Sequence, residues 1–592
     1  MKTKIKNSVK WVVCAALFTV HYPLFTGCSD MLDTDSDLVE FEADNTLDHA
    51  TDSVYSVLGI VNKMQVIADR TILLGEARAD LMVTTDAASD ALKRLANFDF
   101  SVANKYNAVS DYYAVINNCN YFIAHVDTSM VRRGRNVFKP EYAAAKAFRA
   151  WTYLQLALNY GEVPLILEPL MTEKDAREAM NQPKANLKDI CKTFIDDLTP
   201  LADINLPTYG AINGMQSQRF FIPIRVLLGD LCLWSDRYLE AATWYHDFLT
   251  DKRDPIQLNV NRSTWPSTTV YTSPSRGYSV SSSDVLTFIP METSAFDGVV
   301  SDLSNIYNST DKNFNYYEMT YSPALQNLSA AQTYCTEVSI SVSPAVRDTV
   351  PAQRDNLRSH LYLGDLRLTS VYDISSYGSD DEFSEYGSNY QRISKLNVDG
   401  NRNVTRLNLY RSTMVYLRYA EALNRAGFPQ SAMCVLKYGM CQANTSKFVD
   451  AVERAQVGSL IYFDPTVYIL DNGKTFGDAA YQRYIYGIHS NGSGDAHANK
   501  DYVLPQPTAA DNAQNRQDTV NYQIPKVEDM IINEMALEGS FEGNRFYDLM
   551  RVALRRNDPA YLADPISKRK GSADAELYSR LLNTSNWYLP LD

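Results

Sequence analysis

Aromatic and short polar side chains are interleaved between residues 261 and 321, where helical periodicity fades. A flat ring stacks on an apolar ligand face, while the tyrosine hydroxyl forms hydrogen bonds. Sugars present both flat C–H faces and many hydroxyls, so these residue types predict a site for a neutral carbohydrate. The alternative for each ring is that it only packs within its loop. The rings expected to contact ligand are Trp265, Tyr271, Tyr278, Tyr316 and Tyr317, with Asn261, Asp311, Asn315 and Tyr321 nearby.

Catalytic and cofactor motifs are not found in the sequence. Glycoside hydrolysis needs two carboxylates, and 70 Asp and Glu residues always offer a chance pair, so composition leaves hydrolysis open. There is no nucleophile elbow and no dinucleotide fingerprint. Gly473-Lys474-Thr475 ends like a phosphate loop, but Tyr468 occupies the position of its first glycine. We therefore expect a binding protein that is not an enzyme and needs no cofactor.

Charge and cysteine spacing exclude two further classes of partner. The net charge is −14 and there is no basic patch, which argues against nucleic acid. The eight cysteines have no CxxC spacing, so we expect no metal site. Cys119, Cys191 and Cys232 lie in apolar settings and are predicted to be buried thiols.

A pair of short helices is predicted between Pro223 and Leu249. Apolar residues recur at three- and four-residue steps on both sides of Ser235-Asp236-Arg237, and Asp236 is expected to cap the second helix. Gly229 and Ala241, twelve residues apart, are small enough for close helix approach. This spacing resembles the tetratricopeptide-repeat (TPR) pattern.

The same spacing returns between Ala420, in a predicted helix that stops at Gly427, and Ala432, twelve residues later. One helix pair cannot bury its apolar face alone, so such pairs stack. The predicted fold class is therefore mainly α, a TPR-like scaffold of helix hairpins. Residues 252–345, rich in Ser, Thr, Tyr, Asn and Pro, are predicted to form loops and short strands over that scaffold, where binding usually resides. Residues 490–517 are predicted to be an exposed polar insertion.

The N-terminus is predicted to be a lipoprotein signal rather than part of the fold. Four lysines precede an apolar run from Trp11 to Val20 that is too short to span a membrane. Leu24-Phe25-Thr26-Gly27-Cys28 then resembles a bacterial lipobox, which predicts lipidation of Cys28. A conventional secretory signal with a chance cysteine is the alternative. Residues 1–27 are the predicted signal peptide, and residues 28–45 are predicted to be an acidic, flexible tether, similar to the surface-export signal of Bacteroidetes lipoproteins.

A family resemblance rests on several blocks that follow one another along the chain. Ala145 to Ile166, AKAFRAWTYLQLALNYGEVPLI, resembles the central signature of SusD-like (RagB/SusD) outer-membrane lipoproteins. Further blocks are Gly75 to Met82, Arg225 to Ala242, Tyr416 to Gly427, Ile532 to Arg551 and Trp587 to Asp592. The resemblance implies one SusD-like domain over residues 46–592, with loop-rich insertions at about 252–403 and 463–522.

The resemblance also implies a function. It implies a surface-exposed, lipid-anchored outer-membrane protein that captures oligosaccharide and delivers it to a SusC-like TonB-dependent transporter, with the helical side as the partner interface. It adds Asp86, in the loop Thr84-Thr85-Asp86, to the candidate ligand contacts. Peptide capture by the same fold, a surface glycosidase and a structural TPR-type adaptor remain as alternatives.

Charged residues inside these blocks are expected to be structural. They lie on or beside apolar helical faces, which favours buried ion pairs or helix caps over catalysis. The residues are Arg149, Asp230, Glu421, Arg545 and Asp548.

Overall fold

The fold is described from a computed structural model. The residues that it describes are 52–252, 256, 260, 280–293, 298–308, 316–340, 346–351, 364–371, 391, 393, 395–398, 403–464, 485–494 and 496–591.

Nineteen α-helices make up about half of this part of the chain, in agreement with the mainly α prediction, and the strands are few and short. The helices are α1 Asp52–Glu76, α2 Asp90–Ala96, α3 Val109–His125, α4 Lys139–Tyr160, α5 Glu173–Met180, α6 Leu187–Leu198, α7 Ile224–Trp234, α8 Tyr238–Leu249, α9 Leu303–Tyr307, α10 Pro323–Ala330, α11 Ser412–Arg425, α12 Pro429–Met433, α13 Gln442–Phe448, α14 Ala451–Val457, α15 Ser490–Ser493, α16 Arg516–Gly539, α17 Arg545–Arg556, α18 Ala560–Ser567 and α19 Ala575–Leu581. In the same residues, no helix is both long and apolar enough to cross a bilayer.

The strands are short, and those of the described residues that pair with one another do so antiparallel. They are β1 Met82–Thr84, β2 Val131–Arg132, β3 Arg135–Asn136, β4 Val163–Pro164, β5 Lys184–Ala185, β6 Ala211–Ile212, β7 Met215–Gln216, β8 Val285–Pro290, β9 Met319–Tyr321, β10 Cys335–Ile340, β11 Val346–Pro351, β12 Asn397–Val398 and β13 Val404–Arg411. The three-stranded sheet has the order β12–β13–β8, and the others are two-stranded pairs: β1–β9, β2–β3, β4–β5, β6–β7 and β10–β11.

The predicted helix hairpin is present as α7 and α8, and it packs as tightly as the small residues suggested. A Cβ added to Gly229 would lie 2.7 Å from ring atoms of the buried Tyr245, so only glycine fits there. The predicted cap was wrong: Arg237 occupies the N-cap position and makes no side-chain cap bond. Asp236 instead adopts a left-handed conformation at φ 64°, and its carboxylate accepts from Lys188 and Tyr238.

The second predicted pair is α11 followed by α12. Ala420 and Ala432 are both fully buried. The chain leaves α11 through Gly427 at φ 100°, a conformation that glycine adopts without the Cβ penalty. The stop signal read from the sequence is therefore the actual helix end.

The charged residues of the family-like blocks form buried ion pairs, as predicted. Arg149 pairs with Asp197, Arg418 with Asp230, Arg545 with Asp80, and Arg551 with both Glu421 and Asp548, at 2.6–3.0 Å. The bonds join residues up to 465 positions apart. Pairing of this kind compensates the cost of burying charge, and it fixes the packing of helices that are distant in sequence.

The prediction for residues 490–517 was wrong in its first part. His489, Ser490 and Asn491 are buried, and the His489 ring stacks on Tyr502 with centroids 3.7 Å apart. His489 Nδ1 also lies 3.0 Å from the buried carboxylate of Glu534. Partners from distant helices therefore bond to a polar segment that was expected to face solvent. Most of residues 501–517 are exposed, as predicted.

The thiols and the predicted short strands behave as expected where they are described. Cys119, Cys191 and Cys232 are fully buried, and burial raises the pKa of each thiol. Within residues 252–345, where loops and short strands were predicted, the described residues include the short strands β8, β9 and β10, while residues 261–279 lie outside the described residues.

The buried carboxyl group of Glu76, at the end of α1, is expected to make the folding stability of the protein depend on pH. Its Oε1 accepts from Gly543 N–H at 2.8 Å, its Oε2 makes no hydrogen bond, and burial raises its pKa from 4.5 to about 7. A raised carboxyl pKa means that folding becomes less favourable as the pH rises from about 4.5 to 7, by about 3 kcal/mol. We expect Glu76→Gln, compared by urea unfolding at pH 5 and pH 8, to gain about 2–3 kcal/mol over wild type at pH 8 only. An equal effect at both pH values would contradict this assignment.

Candidate functional site

The candidate site forms where β1 pairs with β9. Met82 lies opposite Tyr321 and Thr84 opposite Met319, so the loop after β1 meets the segment before β9. This pairing brings together three residues that the sequence nominated separately: Asp86 on one side, and Tyr316 and Tyr317 on the other. We call this surface, residues 84–89 with 316–321, the β1–β9 surface.

Hydrogen bonds hold its two segments together. Thr85 N–H donates to Glu318 O at 2.9 Å, and the Thr85 hydroxyl donates to Tyr317 O at 2.5 Å. Glu318 Oε2 accepts from both the N–H and the hydroxyl of Ser89, each at 2.9 Å. The loop before α2 is therefore a fixed frame for side chains at its tip, as preorganised binding requires.

The nominated residues on this surface are accessible. Tyr316 is 47% exposed, Tyr317 is half-buried, and Asp86 is exposed. Burial, followed by the nearby Tyr321, raises the pKa of Tyr317, so its hydroxyl is a neutral donor and acceptor at neutral pH. The Asp86 backbone carbonyl accepts from Lys93 Nζ at 3.0 Å, which leaves this lysine at the edge of the site.

A third tyrosine, Tyr106, lies beneath Glu318 and Ser89. It is 7% exposed, and burial, with the Glu318 charge as the next cause, raises its pKa to about 12. The Lys105 ammonium lies 5.1 Å from the centre of its ring. The surface thus combines accessible rings with hydroxyl, carboxylate and ammonium groups.

Sequence reasoning missed Ser89, Lys93 and Glu318. Glu318 adjoins the nominated tyrosines, but its partner Ser89 is 229 residues away, and no periodicity reports that pairing. The nominated residues Trp265, Tyr271 and Tyr278 lie outside the described residues, as do Asn261, Asp311, Asn315 and Cys28, so these remain predictions.

The chemistry that this surface supports is recognition by stacking and hydrogen bonding. Exposed tyrosine rings supply apolar faces, and Ser89, Lys93 and the two carboxylates supply polar contacts. Within the described ranges, no group of three or more His, Cys, Asp and Glu side chains is placed to hold a metal ion. The residues present therefore suit a polar, ring-shaped organic ligand.

A scaffold of helix hairpins overlaid by short strands and loops is the architecture of SusD-like proteins, and the chain has the SusD-like fold. It is similar to a SusD homolog from Bacteroides thetaiotaomicron VPI-5482, with a TM-score of 0.53 and 15% identity over 92% of this chain and 95% of that one. A SusD-like carbohydrate-binding protein from Bacteroides fragilis NCTC 9343 gives 0.52 and 14% identity over 86% and 87%. A SusD superfamily protein from Bacteroides thetaiotaomicron VPI-5482 gives 0.51 and 14% identity over 91% and 94%.

Comparisons of the amino-acid sequence alone give no match to a known protein family or curated protein. No family model matches the chain, and no curated protein matches it. The likeness therefore lies in the fold.

Proposed function

We propose that this protein is a surface lipoprotein that binds oligosaccharide at the β1–β9 surface and delivers it to a SusC-like TonB-dependent transporter. The observation that carries the proposal is the juxtaposition of Asp86 with the accessible rings of Tyr316 and Tyr317 on a SusD-like fold. One protein of that fold is described as carbohydrate-binding, which supports a sugar as the ligand class.

In this mechanism the ligand is bound without bond cleavage. Tyr316 and Tyr317 stack on the C–H faces of the sugar rings, while Asp86 and Lys93 form hydrogen bonds with its hydroxyls. The Glu318–Ser89 bonds hold the frame, so little conformational entropy is lost on binding. Motion of the protein on its transporter then admits the ligand to the channel.

Removal of the two rings tests the site. We expect Tyr316→Ala/Tyr317→Ala to weaken binding of a neutral oligosaccharide at least about tenfold, because each ring loses its stacking face. Isothermal titration of the mature chain against a glycan panel measures this affinity. The matched control is Tyr462→Ala, which removes an equally exposed ring, 51% accessible, from a separate part of the fold.

Three results would contradict the proposal. Equal affinities for the tyrosine pair variant and Tyr462→Ala would place the ligand elsewhere. Shortened sugars in the same tubes would indicate a glycosidase. Saturable heat with peptides but with no glycan would favour the peptide-binding alternative.

The anchor is tested at Cys28. We expect Cys28→Ser to abolish incorporation of labelled palmitate and to shift the protein from the membrane fraction to the soluble fraction, since the lipidated thiol is the attachment. Ser29→Ala is the neighbouring control and is expected to remain acylated. Acylation of the Cys28→Ser variant would contradict lipid anchoring at Cys28.

The transporter partnership has its own test: purification of this protein from the membranes of wild-type cells. Absence of a co-purifying β-barrel transporter would contradict the partnership.

A further inference from the structure

The hairpin formed by β2 and β3 is a small, exposed basic element in an acidic chain. Residues 131–136, VRRGRN, contain three arginines and no acidic residue, and every residue from Val131 to Arg135 is exposed. Within the part of the chain that the structure describes, Arg132, Arg133 and Arg135 form no ion pair and no side-chain hydrogen bond. We call this element the arginine hairpin; the function proposed above does not use it.

Two of these arginines lie directly opposite each other. The strand register pairs Arg132 with Arg135. Opposed residues of an antiparallel pair point to the same face, with Cβ atoms about 5 Å apart, and like charges at such positions are destabilising. The nearest acidic residue before the hairpin, Asp127, already accepts from the backbone N–H and the hydroxyl of Ser129. An anion bound over the face of the hairpin would therefore relieve the repulsion between the two guanidinium groups.

The arginine hairpin has a defined position at the start of α4. Arg133 and Gly134 have φ 50° and 74°, the left-handed values that a tight two-residue hairpin turn needs. At the base of the hairpin, Asn136 Oδ1 accepts from Lys139 N–H, the first residue of α4, at 2.9 Å. The backbone that carries the arginines is therefore held at both of its ends.

This position is also the end of the scaffold at which α1 begins. Helices α1 and α4 run in the same direction, since Met64 contacts Thr152 and, further along both segments, Arg78 bonds to Asn159. Helix α1 begins 12 residues before Met64, and α4 begins 13 residues before Thr152. At 1.5 Å per residue, both helices start about 20 Å back from that contact. The chain that precedes α1 therefore leaves the fold beside the arginine hairpin.

The segment before α1, which lies outside the described residues, has the opposite charge. Residues 28–51 contain eight Asp and Glu and no Lys or Arg. Glu40, Glu42 and Asp44 recur at two-residue steps, and side chains at this spacing share one side of an extended segment. Asp44 is eight residues before Asp52, which allows it a reach of up to about 29 Å. These carboxylates are therefore within reach of the hairpin.

We propose that the arginine hairpin binds the acidic segment from Glu40 to Asp44 of the same chain. The carboxylates pair with Arg132 and Arg135 on the face of the hairpin and with Arg133 at its turn, through charge-assisted hydrogen bonds. The covalent connection favours this occupant over a separate anion, because it holds the segment at an effective concentration on the order of millimolar. An anionic lipid surface has the same sign of charge as the segment and must displace it to reach the arginines.

The contact would shorten the free chain between Cys28 and the domain. That chain is 23 residues, 29–51, without the contact and 11 residues, 29–39, with it. Its maximal length falls from about 80 Å to about 40 Å. The contact itself needs no lipid; its effect, which is to hold the domain nearer to the membrane, rests on the anchor at Cys28 proposed above.

Proteolysis of the acyl-free mature chain, made as Cys28→Ser, tests the contact. The protease Glu-C cuts after glutamate, and both glutamates of the segment are exposed to it unless the segment is bound. We expect cleavage there to be at least about fivefold slower than in Arg132→Ala/Arg133→Ala/Arg135→Ala at low salt. The difference should vanish in 1 M NaCl, which screens charges beyond about 3 Å. Mass spectrometry measures the cleavage, and circular dichroism verifies the fold.

The matched control removes two cations from another exposed element. Lys174→Ala/Arg177→Ala changes α5, where both side chains are exposed and pair with glutamates one helical turn away. This variant is expected to be cleaved at the wild-type rate. A fivefold acceleration in the control as well would mean that net charge, rather than the arginine hairpin, protects the segment, and it would overturn the inference.

A second variant captures the contact without removing charge. In Arg132→Lys/Arg135→Lys, a carbodiimide is expected to join a new lysine to Glu40, Glu42 or Asp44, because this reagent links only amines and carboxylates in contact. Absence of that cross-link, or equal Glu-C cleavage of wild type and the triple alanine variant at low salt, overturns the inference. Hairpin-dependent binding to phosphatidylglycerol vesicles by a chain whose segment is cleaved freely would assign the arginines to the membrane instead. None of these measurements uses a glycan, so their outcome is independent of the β1–β9 surface.

Discussion

The Gly75→Ala variant is expected to lose about 3 kcal/mol of folding stability, because its added methyl group has no space. A Cβ at Gly75 would lie 2.9 Å from the Cα of Gly543 and closer still to its carbonyl group. The obstacle is backbone rather than a flexible side chain. Gly543 itself has φ 85° and would place a Cβ 2.7 Å from the Cα of Ile72. Two glycines therefore let α1 and the chain before α17 touch directly.

The same helix supplies the control. Gly59 also lies in α1, and a Cβ there would meet nothing within 4 Å. Gly59→Ala is expected to raise stability by about 0.5–1 kcal/mol, because alanine loses less entropy in a helix. Urea unfolding followed by circular dichroism at 222 nm measures both variants. Similar midpoints for Gly75→Ala and Gly59→Ala would contradict the proposed contact between α1 and the α17 entry.

Much of the helical scaffold is predictable from the sequence, because its signals are local. Helices α7 and α8 span Ile224–Trp234 and Tyr238–Leu249, where the apolar spacing predicted two short helices between Pro223 and Leu249. The glycine stop after α11 was read equally well. These features depend on residue spacing within a few turns, which the sequence displays directly.

The candidate site is less predictable, because its geometry is non-local. Strands β1 and β9 are three residues long, and the register between Met82 and Tyr321 depends on packing across the whole domain. Composition could nominate Tyr316 and Tyr317, but it could not place Asp86 beside them or select Ser89 as the partner of Glu318. Residues 489–491 are a second case: their polar composition predicts exposure to solvent, but they are buried, and His489 contacts Glu534.

The second large effect is expected at Glu421, the fully buried carboxylate of α11. It accepts two bonds from Arg551, at 2.9 and 2.6 Å, and a third from Arg555 at 3.0 Å. Burial opposes its ionisation, but the two guanidinium groups outweigh burial and lower its pKa from 4.5 to about 2. Glu421→Gln keeps the size and removes the charge, which leaves two buried arginines short of an anion. We expect a loss of about 3–5 kcal/mol at pH 7.

The pH dependence separates this explanation from simple loss of packing. A lowered carboxyl pKa stabilises the fold above about pH 4.5, and that contribution of about 3 kcal/mol is lost as the pH falls towards 2. The difference in unfolding free energy between wild type and Glu421→Gln should therefore shrink over this interval. Glu173→Gln, which removes an exposed partner of Arg177, should change stability by less than about 1 kcal/mol at either pH. If the loss of unfolding free energy in Glu421→Gln stays constant from pH 7 to pH 2.5, the loss comes from packing. The ion pairs with the arginines require an ionised carboxylate, so their contribution must decrease as Glu421 is protonated.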